Sequence, residues 1–228
     1  MKLSISMTRR EMLFGWCYLL ISLFALPFAL ALLNGLLQNP LSLTEINLVF
    51  TGLNFLIVAV IFHRFLLSSV KIVKERPWRC LVFAGSGFLL YYLSSIVLSM
   101  LIVGFFPDFS NVNDGAVMEL FQEHPTMMTL STVILVPITE ETLYRGLCFQ
   151  GLHRKNRLLA YGVSTFVFAS IHVLGYVGLY DFTTLFLCFL QYLPAGIMLA
   201  WAYEKSDTIF APILMHIVIN LIGVSVMR

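Results

Sequence analysis

Charge is what this sequence has least of. Lysine, arginine, aspartate and glutamate make up 11% of its 228 residues and hydrophobic residues 59%, whereas an ordinary soluble domain is about 25% charged. A compact water-soluble fold of this length cannot cover its surface with so few charged groups. Disordered and fibrous classes are excluded by the abundance of apolar residues and the absence of a short repeat. Basic residues number 14 and acidic residues 12, a net charge of +2, too small an excess for a nucleic-acid partner. The four cysteines, Cys17, Cys80, Cys148 and Cys188, show no CxxC or paired spacing, so they read as free, packed thiols rather than a disulfide framework. What remains is a polytopic membrane protein.

Long apolar runs are what it has in plenty. Seven stretches can cross about 30 Å of hydrocarbon at about 1.5 Å per residue: 12–34, 46–62, 81–106, 126–150, 158–175, 182–203 and 208–226. They are continuous rather than alternating, which selects helices over a closed barrel. The expected fold is therefore an all-α, multi-pass transmembrane helical bundle of about seven spans, or eight if 63–80 adds an interfacial segment. Residues 1–125 form an N-terminal transmembrane region, and 126–228 form a four-helix core. The first run follows Lys2, Arg9 and Arg10, and Ala29-Leu30-Ala31 imitates a signal-peptidase site. The run continues past it through Leu32 and Leu33, so an uncleaved helix is expected.

The charges are sorted by connection. Arg64, Lys71, Lys74, Arg76 and Arg79 lie between the second and third runs, Arg154, Lys155 and Arg157 between the fourth and fifth, and Lys205 between the last two. The alternate connections carry Glu45, then Asp108, Asp114, Glu119 and Glu123, then Asp181, with no lysine or arginine. The positive-inside rule places the N-terminus in the cytoplasm and, with seven spans, the C-terminus outside. The basic cluster at 64–79 suits anionic lipid head groups. Within Pro107–Pro125, Val117, Met118, Leu120 and Phe121 have the spacing of a short interfacial helix.

Three charges stand inside a span. The fourth run contains Glu140, Glu141 and Arg145, and a charge at a helix centre costs about 2.5–3.5 kcal/mol on insertion scales. Glu141 and Arg145 are four residues apart and share a face, so they form an ion pair. Glu140 points about 100° away, on the face of Tyr144, and is left free to act as a general base on water. The fifth run adds His172 and the last adds His216 and Asn220, again four residues apart. His216 and Asn220 can donate hydrogen bonds to a developing oxyanion, and His172 can accept a proton. Counted from the basic end at about 1.5 Å per residue, Glu140, His172, His216 and Asn220 lie roughly 15, 21, 12 and 18 Å deep. They form one layer near mid-membrane, with a bias towards the cytoplasmic side.

The succession Glu140-Glu141-Thr-Leu-Tyr-Arg145, Phe168-Ala-Ser-Ile-His172 and His216-Ile-Val-Ile-Asn220 resembles the EExxxR, FxxxH and HxxxN motifs of the CPBP intramembrane proteases. These are the type II CAAX prenyl endopeptidases and the bacteriocin-processing or Abi proteins. The resemblance covers about residues 126–226 and extends to Pro137, Gly146 and Ala195-Gly196. It implies a membrane endopeptidase acting on a peptide or protein. It assigns Glu140 and His172 to water activation, His216 and Asn220 to the oxyanion, and Glu141 and Arg145 to support. CAAX-type members have eight membrane helices, one more than counted here, and residues 1–105 match nothing in the family.

Glu140, His172 and His216 are also a conceivable zinc triad. No HExxH is present, and Asn220 is a poor zinc ligand but a good oxyanion donor, so a metal-independent mechanism is favoured. No serine or cysteine nucleophile is required. A non-catalytic immunity or binding protein and a small proton-coupled transporter remain as alternatives. The transporter lacks an inverted repeat. A prenylated CAAX protein, a bacteriocin leader and a pheromone precursor fit the sequence equally well as substrates.

Overall fold

The computed structural model describes residues 3–227. Lys2, which precedes the first run, lies outside the described residues, as does Arg228. The described chain is helical, without a β-strand. Its helices are α1 Arg9–Gly35, α2 Leu43–Ile61, α3 His63–Glu75, α4 Pro77–Phe105, α5 Val112–Leu120, α6 at 125–153, α7 Arg157–Leu174, α8 Phe182–Ser206 and α9 Phe210–Met227. The seven apolar runs thus become α1, α2, α4, α6, α7, α8 and α9. Five of these (α1, α2, α4, α7 and α8) are long and apolar enough to cross a membrane. The apolar part of α9, Phe210–Val226, is shorter, and α6 carries the three charges. The two added segments are also helical: α3 at 63–75 and α5 within the connector.

Local sequence explains the helix starts. Thr8 with Glu11, and Ser42 with Glu45, form reciprocal capping boxes at α1 and α2. In such a box the side chain of each residue satisfies the other's orphan backbone N–H. Asn111, Asn156 and Asp181 cap α5, α7 and α8. The Thr184 hydroxyl and backbone N–H hold the Asp181 carboxyl below the usual carboxylate range. Glu11 also accepts from the backbone N–H of Phe65 at 2.9 Å, a donor that the first turn of α3 cannot satisfy itself.

Helices α4, α7, α8 and α9 pack as one group, and α6 runs among α7, α9 and α2, with α1 beside it. The common core includes Phe62, Leu147, Phe149, Leu199, Ile209 and Met215. Helices α7 and α8 approach closely at Gly196. A Cβ built on Gly196 would lie 2.7 Å from Thr165 Cγ2 and 3.2 Å from Thr165 Cα. Gly146 is crowded differently: its Cβ would meet Met7 Cε at 2.7 Å and Phe65 Cε1 at 3.0 Å. Backbone cannot yield as a methionine tip can. Gly196→Ala is therefore expected to cost about 1–3 kcal/mol and Gly146→Ala distinctly less. Thermal unfolding of the two variants in detergent checks the order.

The connections segregate as their charges do. At one end Ser4 bonds to Asp207 through its backbone N–H (2.7 Å) and its hydroxyl. There Arg79 donates to the carbonyl of Lys205, and Glu204 receives His153, Arg157 and Tyr161. At the other end Thr44 donates to the Leu120 carbonyl. Lysine and arginine outside α6 gather at the first end.

Two expectations need correction. Cys17 is exposed on α1, whereas Cys80, Cys148 and Cys188 are buried thiols, all four unpaired. Glu11, Glu204 and Asp207 fall outside the seven apolar runs and are nonetheless buried in the protein. Each keeps hydrogen-bond partners, as an enclosed charge must.

Candidate functional site

The motif helix α6 is not a plain α-helix. Two π-helical segments, Ser131–Leu135 and Thr142–Phe149, bracket the α-helical turn Val136–Glu141. Such widened turns recur at functional sites. The first has a visible consequence. With the register slipped, the N–H of Val136 bonds to the carbonyl of Ser131. The next donor in that register, residue 137, is a proline without an N–H. The Thr132 carbonyl is thereby left over, and Asn220 Nδ2 donates to it at 2.8 Å. Pro137 thus frees a backbone acceptor that α9 uses to hold Asn220.

Glu141 and Arg145 form the expected pair, Oε1 to Nη1 at 3.1 Å, and both are fully enclosed. Arg145 also donates to the Gly196 carbonyl at 3.2 Å and sits 4.4 Å above the centroid of the Phe168 ring, a cation–π arrangement. The same Glu141 oxygen takes a second partner that the sequence did not show: His216 Nδ1 at 2.8 Å. The supporting pair therefore also fixes one nitrogen of the third-motif histidine. Tyr144 packs edge-on against Phe168, and its carbonyl accepts from Ser164 of α7.

His172 Nδ1 bonds to the Phe168 carbonyl at 2.7 Å. A carbonyl only accepts, so Nδ1 carries the proton and Nε2 of the neutral ring keeps its lone pair. Phe168 thus touches His172, His216 and Arg145 from one position.

Glu140, His172, His216 and Asn220 all line one cavity of about 540 Å³, walled by α2, α4 and α5 as well as α6 to α9. Glu141 and Arg145 do not line it. Four of the six candidate residues thus share the cavity wall and two lie behind it. Glu140 Oε2 is buried without a protein partner. No lysine or arginine is among the lining residues. Among the described residues no three His, Cys, Asp or Glu side chains converge as a metal-ligand set, and Glu140, His172 and His216 do not form one here.

The cavity also reaches Asn111, Asn113, Asp114 and Val117 of the connector. These stand at the acidic end, and no lining residue comes from the basic connections. The expected bias of the polar layer towards the basic end is therefore corrected. His172 lies in the last turn of α7, where counting from the far end makes its depth look more central than it is. Sequence reading also missed Thr132, Gln191 and Tyr192. A Gln-Tyr pair inside an apolar span was the available signal for the last two.

The fold and site together define an all-helical, multi-pass membrane protein with a carboxylate–histidine–asparagine cavity. Residues 122–222 match the Rce1-like family, described as type II CAAX prenyl endopeptidase Rce1-like, so the resemblance read from the three motifs extends over that stretch, which is less than half of the chain. The chain is also similar to a protein of Bacillus subtilis (strain 168) called "Putative membrane peptidase YdiL", with 28% identity over 109 residues. That match spans 47% of this chain and 40% of the relative, so less than half of either protein is compared. No solved structure matches.

Proposed function

We propose that this chain is an intramembrane endopeptidase that hydrolyses a peptide bond in a peptide or protein substrate by activating water. The observation that carries the reading is the convergence of Glu140, His172, His216 and Asn220, from three helices, on one cavity, with a Glu140 oxygen buried and unpartnered. The family match and the relative's printed name support it.

Glu140 takes the proton of a water molecule, and the bare Nε2 of His172 accepts the water's second hydrogen bond and aligns it. The water oxygen attacks the scissile carbonyl. The oxyanion is met by Asn220, whose second amide hydrogen is not used by Thr132, and by His216 Nε2. With Nδ1 committed to Glu141, His216 donates from Nε2 only as the doubly protonated ring, for which the Glu141 carboxylate is the counter-ion. Glu140 then delivers its proton to the leaving amine.

Comparison of membrane-fraction peptides from cells carrying the wild type and Glu140→Gln tests the reading. A precursor that accumulates and a fragment that disappears in the variant support peptidase action and reveal the substrate. Identical peptide pools reject it. Once a substrate is in hand, stripping divalent metal with a chelator is expected to leave the cleavage rate unchanged. Loss of activity that added zinc restores would reject the metal-independent mechanism. On the orientation given by the basic connections, the cavity opens on the side away from the cytoplasm.

A further inference from the structure

The bond from His172 Nδ1 to Phe168 fixes the tautomer of the imidazole. It is made within one turn of α7, so the ring plane must be set by what lies against its faces. Phe168 meets the ring at a tilt, with centroids 4.9 Å apart and planes at 53°. Tyr192 of α8 lies nearly parallel to it, at 4.0 Å and 23°.

Tyr192 is held at its far end as well. Its hydroxyl accepts from Asn113 Nδ2 at 2.9 Å and donates to Asp114 Oδ1 at 3.2 Å. Both partners belong to α5. The preceding residue repeats the tie, because Gln191 Oε1 accepts from Asn111 Nδ2 at 2.8 Å. Tyr176, near the end of α7, donates to Asn113 Oδ1 at 3.4 Å. An aromatic ring stacked at one end and bonded at the other has little freedom, which makes it a platform for the imidazole.

Resting on the peptidase reading, we propose that Tyr192 is a positioning residue of the reaction. Its ring keeps His172 Nε2 aimed into the cavity, and its hydroxyl makes that aim depend on α5 being seated at the acidic end. Three facts converge on this reading: the near-parallel stack, the two hydroxyl bonds to α5, and the membership of His172, Tyr192, Asn113 and Asp114 in the same cavity wall.

The test uses the full chain in detergent with three variants. Tyr192→Leu removes the ring, Tyr192→Phe keeps it without the hydroxyl, and Asn113→Ala loosens the tie without touching His172. Misplacing a reacting group by about 1 Å costs up to about 10²-fold. On the peptide identified through Glu140→Gln, Tyr192→Leu should therefore lower kcat by about 10- to 100-fold with KM little changed. Tyr192→Phe should recover most of that loss, and Asn113→Ala should fall between the two. Independently of any substrate, the ring protons of His172, assigned by difference against His172→Gln, should resonate upfield in the wild type and in Tyr192→Phe. They should lose that shift in Tyr192→Leu.

Wild-type kcat in Tyr192→Leu, equal losses in the Leu and Phe variants, or no upfield shift in the wild type would each overturn the proposal. Cleavage lost in Glu140→Gln yet intact in Tyr192→Leu overturns it and leaves the peptidase reading standing. Cleavage that survives Glu140→Gln removes both. If Tyr192→Leu fails to fold, the Phe and Asn113→Ala variants decide: wild-type kcat in Asn113→Ala together with an unshifted His172 in Tyr192→Phe overturns it.

Discussion

Glu140→Gln lowers cleavage by at least about 10²-fold, the contribution of a positioned general base, and leaves the protein as stable as before or more so. The two halves of this expected result have separate causes. Glutamine has almost the same shape as glutamate, and Oε2 of Glu140 makes no protein hydrogen bond to lose. Removing the charge also removes the cost of holding it within a span, about 2.5–3.5 kcal/mol on insertion scales. The base is lost while the packing stays. Cleavage rate and thermal midpoint in detergent, measured on one preparation, check both halves. A variant that cleaves normally ends the assignment of Glu140 as the base. A variant that loses activity and stability together makes Glu140 structural.

The neighbouring carboxylate is expected to behave in the opposite way. Glu141 and Arg145 are fully enclosed, and removing one member of a buried pair leaves the other uncompensated, at about 3–5 kcal/mol. Glu141→Gln and Arg145→Met should each destabilise by that amount in thermal or denaturant unfolding. The double variant should regain much of the loss, because no lone charge then remains inside. Cleavage should not return with stability, since the carboxylate facing His216 Nδ1 is gone. Additive losses in the double variant would show that the pair does not act as a unit. Restored cleavage would remove Glu141 from the mechanism.

Hydropathy alone located the seven long helices, because twenty-odd apolar residues have one stable arrangement in a bilayer. Side-chain spacing predicted the Glu141–Arg145 pair, a contact within one helix. It did not predict the bond from Glu141 to His216, which joins residues 75 apart and exists only once α6 and α9 are packed. The widened turns of α6 were equally hidden, since apolar periodicity barely distinguishes a π turn from an α turn. Pro137 was noticed as a flanking feature, but its role is to strand the Thr132 carbonyl for Asn220, and that needed the neighbouring helix. Tyr192 escaped because the Gln191-Tyr192 pair marks polarity in an apolar helix without saying what it contacts. Its partners Asn113 and Asp114 lie on a connector 79 and 78 residues away.

The widened turns also have a meaning in terms of chain length. A π segment accommodates one more residue than the α-helix around it, so Ser131–Leu135 can be regarded as a single-residue insertion that the helix has absorbed. Deleting one residue there would let the turn relax to α geometry without shortening the span noticeably. The two flanks would stay in phase, because the wide turn already takes up the extra residue within one turn, and Met128 would keep its buried face. With one residue removed from 133–136, Pro137 would stand four residues after Thr132 and, having no N–H, would still leave that carbonyl to Asn220. Related chains that keep all three motifs but lack that residue should hold their asparagine in the same way. An alignment gap at this position would then mark a change of chain length that the helix absorbs rather than a rewired site.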